Sequence, residues 1–221
     1  MKPLLLTFLA CGLAVLAAKP GLADVGTGKT TFEANKCQDC HSVEKAGAAA
    51  DIHAHMDTKG PELWYAGSKF QKDWLAKWLV EPTKIRFMLH GMPSMKIGDH
   101  AKLSADDAAQ VTDYLMSLTS DLVKPGTIKP KKNPKGRLIF TKKMPCSGCH
   151  QFPTKKKYDG GRTGPSLVGA GDRLNPDWIY AYLANIDEFK PVRPMPNFVG
   201  ILSDKDMINV ARYVASFKSK K

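Results

Sequence analysis

From residue 24 onward the chain has no cysteine outside two short motifs, and no apolar stretch long enough to span a bilayer, which takes about 20 residues. The first lack removes any thiolate that could act elsewhere in this region. The second makes the region one that does not cross a membrane. No strand-rich segment surrounds either motif, so the βαβ setting of a thioredoxin-like dithiol is missing. Acidic residues are scarce as well: 21 Asp and Glu stand against 33 Lys and Arg, a net charge of +12.

The two motifs are Cys37-Gln38-Asp39-Cys40-His41 and Cys146-Ser147-Gly148-Cys149-His150. Each sets two thiols about one helical turn apart, where they can add across the two vinyl groups of a haem. The adjacent histidine is left to ligate the iron, and C-x-x-C-H is the spacing of c-type haem attachment. The alternative, a zinc ribbon, would bring the two pairs together across more than a hundred residues and needs no histidine after each. Four of the five cysteines are used in this way.

The fifth, Cys11, lies in a different segment. Met1-Lys2 precedes an apolar run from Pro3 to Ala18, and small residues lead to Gly21-Leu22-Ala23. This reads as a signal peptide, residues 1–23, cleaved after Ala23. Phe8-Leu9-Ala10 before Cys11 makes a poor lipobox. An exported, periplasmic chain is expected, with haem attached outside the cytoplasm. The leader carries only Lys2 and Lys19, so most of the positive charge stays with the mature protein. An exported chain meets little nucleic acid, so the charge points to an acidic protein surface or an anionic membrane face.

Much of that charge gathers near the second motif. Lys124, Lys129, Lys131, Lys132, Lys135 and Arg137 precede it, Lys142 and Lys143 adjoin it, and Lys155, Lys156 and Lys157 follow it.

The sequence is written twice. An offset of 104 aligns Gly60-Pro61 with Gly164-Pro165, Leu63 with Leu167, Ala66-Gly67 with Ala170-Gly171 and Asp73-Trp74 with Asp177-Trp178. Near each end the offset is 99, matching Leu103-Ser104 with Leu202-Ser203, Val111 with Val210 and Tyr114 with Tyr213. A Gly-x-x-x-Phe precedes each motif, at Gly28–Phe32 and Gly136–Phe140. Helical spacing of Phe70, Trp74, Leu75, Trp78 and Leu79 predicts a helix closed by Pro82. Asn175-Pro176 predicts a capped start for its counterpart, and Ser104 with Asp107 and Ser203 with Asp206 predict capped final helices. The expected fold is all-α. Domains are expected at 24–121 and 136–221, joined by a Pro-containing extended linker at 122–135.

With these motifs in order (C-x-x-C-H, Gly-Pro, a tryptophan-bearing helix, Met-Pro, a final helix opening at Leu-Ser), each copy resembles a class I cytochrome c domain. The whole chain is similar to bacterial dihaem, two-domain cytochromes c. The resemblance covers nearly all of residues 25–220. It implies two small helical bundles, each wrapped around a covalently bound haem c, with the Met-Pro methionine as second axial ligand. In copy two that is Met195; copy two has no histidine except His150, Met144 adjoins the motif, and Met207 falls inside the final helix as core. Copy one offers Met92-Pro93-Ser94-Met95, flanked by His90 and His100. Alignment with Met195 favours Met92, with Met95 and His90 as the other candidates. His53 and His55 read as exposed filler in a longer loop.

The resemblance also implies that the carbonyls of Pro61 and Pro165 orient the two histidines, and that Lys69 and Arg173 contact haem propionates, unless they are surface charge. His/Met ligation fills the iron's last site and raises its potential. That makes an electron carrier rather than an enzyme, with an acidic redox protein or a membrane-bound oxidoreductase complex as partner. Rival readings are the cytochrome subunit of a periplasmic dehydrogenase and a dihaem enzyme. A peroxidase needs an open or displaceable site, and cysteine ligation of the thiosulfate-oxidising kind needs a cysteine this region lacks.

Overall fold

The computed structural model describes residues 25–45, 49–87 and 99–219. The first repeat contributes α1 (Val25–Ala34), a 3₁₀ turn at Cys37–Asp39, α2 (Ile52–Met56), α3 (Ala66–Lys69), α4 (Lys72–Val80) and α5 (Ala105–Ser117). The second contributes α6 (Pro134–Leu138), continuing as a π turn over Ile139–Lys143, then α7 (Cys146–Cys149), α8 (Ala170–Arg173), α9 (Pro176–Ala184), α10 (Ile186–Phe189) and α11 (Asp204–Val214). Among the described residues, strand is confined to a two-residue hairpin, β1 (Phe152–Pro153) against β2 (Tyr158–Asp159). The all-α expectation is met.

The caps form as the sequence indicates. Ser104 Oγ accepts from Asp107 N at 3.1 Å and Ser203 Oγ from Asp206 N at 3.2 Å. Asn175 accepts from Asp177 N at 3.0 Å, with Pro176 at the first helical position. Each cap satisfies a backbone donor that the first helical turn leaves unpaired.

In each repeat the first helix crosses the last, α1 on α5 and α6 on α11. The glycine of Gly-x-x-x-Phe marks the crossing. A methyl group on Gly28 would lie 2.3 Å from the Gln110 carbonyl oxygen, and one on Gly136 2.1 Å from that of Asn209. The phenylalanine one turn later fills the core, Phe32 edge-on to Tyr114 and Phe140 edge-on to Tyr213. Because the obstructing atoms are backbone, Gly136→Ala is expected to cost about 1–3 kcal/mol through helix separation. Thermal denaturation measures it against Gly148→Ala, whose added methyl meets nothing within 4 Å. Equal melting of the two variants would remove the close crossing as the reason for the glycine.

The repeats meet about an approximate two-fold axis. Phe70 and Leu174 form an isolated antiparallel bridge, flanked by Gln71 N to Arg173 O at 2.9 Å and Asn175 N to Lys69 O at 2.8 Å. At the offset of 104 Phe70 meets its own repeat equivalent, and the two flanking hydrogen bonds are equivalents of each other, Gln71 matching Asn175 and Arg173 matching Lys69. Such self-matching contact is what a two-fold interface requires. The interface is not fully symmetric. Tyr65, with no exposed surface, inserts into the second repeat's core, stacked on Trp178 and edge-on to Phe189.

Residues 122–133 are non-helical, as a linker reading requires, but they do not hang free. Val123 and Ile128 are buried in the second core. Gly126 N and Ile128 N donate to the Asp177 carboxylate at 2.7 and 2.6 Å. The segment is strapped to the second repeat.

Candidate haem-attachment sites

Both motifs fold into one tight turn. In the first, Cys40 N and His41 N both donate to Cys37 O, at 3.2 and 3.0 Å. In the second, His150 N donates to Cys146 O at 2.9 Å. One turn brings thiols three residues apart onto a single face. Cys37 and Cys146 are half-buried, Cys40 and Cys149 exposed, and all four are free. Burial pushes the Cys37 thiol up and the Cys146 thiol up to about 11. Redox dithiols work by the opposite shift, a stabilised thiolate, so these pairs are poor redox centres. No group of three or more His, Cys, Asp or Glu among the described residues could hold a metal ion, which removes the zinc ribbon.

The histidines are held identically. His41 Nδ1 donates to Pro61 O at 2.8 Å and His150 Nδ1 to Pro165 O at 2.7 Å. Since a carbonyl only accepts, the proton sits on Nδ1 and the lone pair on Nε2. Burial holds both imidazoles below their usual pKa, hence neutral. A neutral ring with a carbonyl on its second nitrogen is the form that ligates a metal. The Gly-Pro pairs have a steric cause too. A methyl on Gly60 would lie 2.5 Å from His41 Cε1, and one on Gly164 2.7 Å from His150 Cε1.

Met195 is partly buried against the second core, as is Cys146, and beside it Phe198 is buried. Met207 is core within α11. Met92, Met95 and His90 lie outside the described residues. His100 is described. Its ring centroid lies 6.1 Å from that of His41 and 4.7 Å from that of Trp78. The reading of both loop histidines as exposed is corrected for one of them. His53 is exposed on α2, but His55 is buried beside the Glu62–Lys190 pair, and desolvation lowers its pKa.

Lys69 and Arg173 are not ordinary surface charges. Each reaches across the two-fold axis to the other repeat's tryptophan: the Lys69 ammonium lies 5.1 Å from the Trp178 ring, the Arg173 guanidinium 6.0 Å from the Trp74 ring. Arg173 is buried, with Nη2 donating to Ser166 O at 2.7 Å and Nη1 to Val168 O at 3.2 Å. Burial, then the charges of Lys190 and Arg173, bring Lys69 down to about 7. Desolvation brings Arg173 down to about 10.

Arg86 joins the same cluster from the first repeat, donating to Thr163 O at 3.4 Å. Against these cations stand Glu62, which pairs with Lys190 at 2.6 Å, and Asp172, which pairs with Lys218 at 2.9 Å. Tyr65 Oη and Trp178 Nε1 are buried there without a partner. An interface with surplus positive charge and two orphaned donors lacks an anion, and haem propionates have the chemistry to supply it. The residues present therefore fit covalent haem at both motifs.

Sequence reasoning missed Tyr65, Arg86 and the role of Glu62. The 104 offset that pairs Arg86 with Lys190 was the available signal.

Two turns of paired thiols, each with a neutral histidine beside it, define a covalent haem-binding protein built from two similar helical units. The family described as Cytochrome c matches residues 25–119, and that described as Cytochrome C oxidase, cbb3-type, subunit III matches residues 132–214. The chain belongs to the cytochromes c, with two cytochrome c-type domains in tandem. No curated protein matches the sequence. Among solved structures, a chain of the Kuenenia stuttgartiensis reducing HAO-like protein complex is 18% identical. The match covers 86% of this chain and 95% of that one, with a TM-score of 0.34.

Proposed function

We propose that this protein is an exported carrier of single electrons, holding one haem c in each domain and moving charge between redox partners across its domain interface. The observation that carries the reading is the repeated Nδ1–carbonyl bond, which presents one free Nε2 beside each pair of thiols. Bound there, haem supplies a one-electron iron couple; the chain supplies its attachment, ligation and surroundings.

Cys37 and Cys40, and Cys146 and Cys149, anchor the two groups, and His41 and His150 ligate them. Met195 completes the second site. Lys69, Arg173 and Arg86 sit where the domains join and would take up the propionate charge of a haem bound in either domain.

Partner docking falls to the second domain. Lys142, Lys143, Lys155, Lys156 and Lys157 are exposed beside the second motif, three of them in the β1–β2 turn that Thr154 N to Lys157 O closes at 2.8 Å. A dense basic face of this kind steers an acidic partner. Export follows from the leader at 1–23, and no helix among the described residues is long and apolar enough to cross a membrane.

The optical spectrum of the holoprotein tests the reading. Two low-spin haems per chain, neither binding carbon monoxide when ferrous, is the expected result. A high-spin or carbon-monoxide-binding haem in the wild type would make the chain a candidate enzyme instead.

A further inference from the structure

We infer that the first haem is ligated by two histidines, His41 and His100, while the second keeps a histidine and a thioether. The inference rests on the reading that both domains bind haem, and it goes beyond that reading by assigning a ligand from outside the Met-Pro segment.

A metal–imidazole bond is about 2.0–2.1 Å, and a five-membered ring's centre lies about 1 Å further on. Two imidazoles sharing one metal therefore have centroids roughly 6 Å apart on that bond length. His41 and His100 stand at 6.1 Å. Their planes differ by 39°, and rotation about the axial direction leaves ligation intact.

Each ring is also prepared for the task in the same way. His41 Nδ1 donates to Pro61 O at 2.8 Å, and His100 Nδ1 to Ala101 O at 2.7 Å. That fixes the tautomer of both, leaving Nε2 of both with its lone pair, and a carbonyl or carboxylate on the second nitrogen is the usual support of a ligating histidine.

His100 is positioned by its neighbours rather than adrift. Trp78, on α4, packs against its ring, and Trp78 Nε1 donates to Thr83 O at 3.0 Å. Asp99 pairs with Lys84 at 3.1 Å, and Leu103 N donates to Leu79 O at 3.0 Å, so the chain is tied down on both sides of His100, to the segment after α4 and to α4 itself. The second domain has no equivalent. At the offset of 99 that aligns the final helices, His100 corresponds to Val199, and His150 is that domain's only histidine.

The asymmetry gives the carrier a direction. A thioether raises the haem potential relative to a second nitrogen ligand. Electrons therefore run downhill from the first haem to the second, entering at the first domain and leaving at the lysine-rich second.

The test is the far-red absorbance of thioether-bound ferric haem, together with carbon monoxide uptake of the ferrous form, in the full-length holoprotein. The wild type is expected to show the band at a strength corresponding to one haem of its two. His100→Ala is expected to make the first haem take up carbon monoxide or to add a second haem's worth of the band, as a nearby thioether replaces the lost imidazole. A His100→Ala spectrum identical to wild type overturns the proposal, as does a wild-type band from both haems. If His100→Ala yields no holoprotein, Met195→Ala decides: the band vanishes under this assignment and half of it persists if Met92 ligates. A chain with fewer than two haems, or a wild type that binds carbon monoxide, overturns the carrier reading as well. Two inert haems that both show the band overturn this inference alone.

Discussion

Replacing both thiols of the second motif, Cys146→Ser with Cys149→Ser, is expected to lower haem from two per chain to one and to unfold residues 136–219 as a unit. The second domain is small, and a chain of that size buries a modest share of its surface and keeps a narrow margin of stability. Its core is also incomplete alone: Trp178 Nε1 and the Tyr65 hydroxyl are buried with no partner, and Arg173 is buried with only carbonyls as acceptors. A haem left unattached dissociates, and these groups are then desolvated without compensation, at about 1–3 kcal/mol each. Three such costs rival the whole stability of a typical domain, about 5–15 kcal/mol. Haem staining, near-ultraviolet dichroism and limited proteolysis read the outcome. Cleavage confined to the second domain, with the first haem's spectrum retained, is the expected pattern. A one-haem chain as protease-resistant as wild type would show that the helices hold without their cofactor.

The first domain is not insulated from that loss. Tyr65 and Trp64 are covered by Trp178 and Phe189, so they become exposed when the second domain opens. Part of the first domain's stability is therefore contributed by its neighbour.

What could be read from sequence is what local pattern encodes. The C-x-x-C-H turns, the capping serines at 104 and 203 and the Asn175-Pro176 helix start each depend on residues within one turn of each other, and all form as expected. The repeat supplied a second copy of the turns and of the capping serines, whereas Gln71, the counterpart of Asn175, makes no side-chain cap. Contacts between copies have no such pattern. Lys69 was visible as a basic residue matched to Arg173, but its place over Trp178 depends on how two domains face each other. Asp177 is matched by the repeat with Asp73, but its work, binding two amides of the preceding strap, is set by tertiary packing. The glycines at 28 and 136 were visible as a motif, while the backbone they accommodate lies some 70 to 80 residues further along. His100 was one of several ligand-type residues near Met92, and only three-dimensional packing singles it out.

The second haem offers the sharpest functional change from a single substitution. Met195→Ala is expected to turn a haem that excludes carbon monoxide into one that binds it, and to lower that haem's potential, because a thioether favours ferrous iron. The segment around Met195 is held by bonds that the substitution leaves alone. Arg193 pairs with Asp187 at 2.6 Å and donates to Lys190 O at 2.7 Å. Asn197 Nδ2 donates to Asp187 Oδ2 at 2.6 Å, its Oδ1 accepts from Val199 N at 2.9 Å, and Phe198 remains buried. With the backbone fixed, a methyl group is too short to reach the iron. No substitute is at hand. The domain has no other histidine, Met144 stands just before the attachment motif, and Met207 is packed inside α11 at 6% exposure. The expected result is one carbon-monoxide-binding haem per chain where the wild type has none, with the other haem unaltered, measured by ferrous difference spectra and a redox titration. A variant that stays inert to carbon monoxide and keeps both potentials would remove Met195 from the iron and leave the second haem's sixth ligand to be sought elsewhere in the domain.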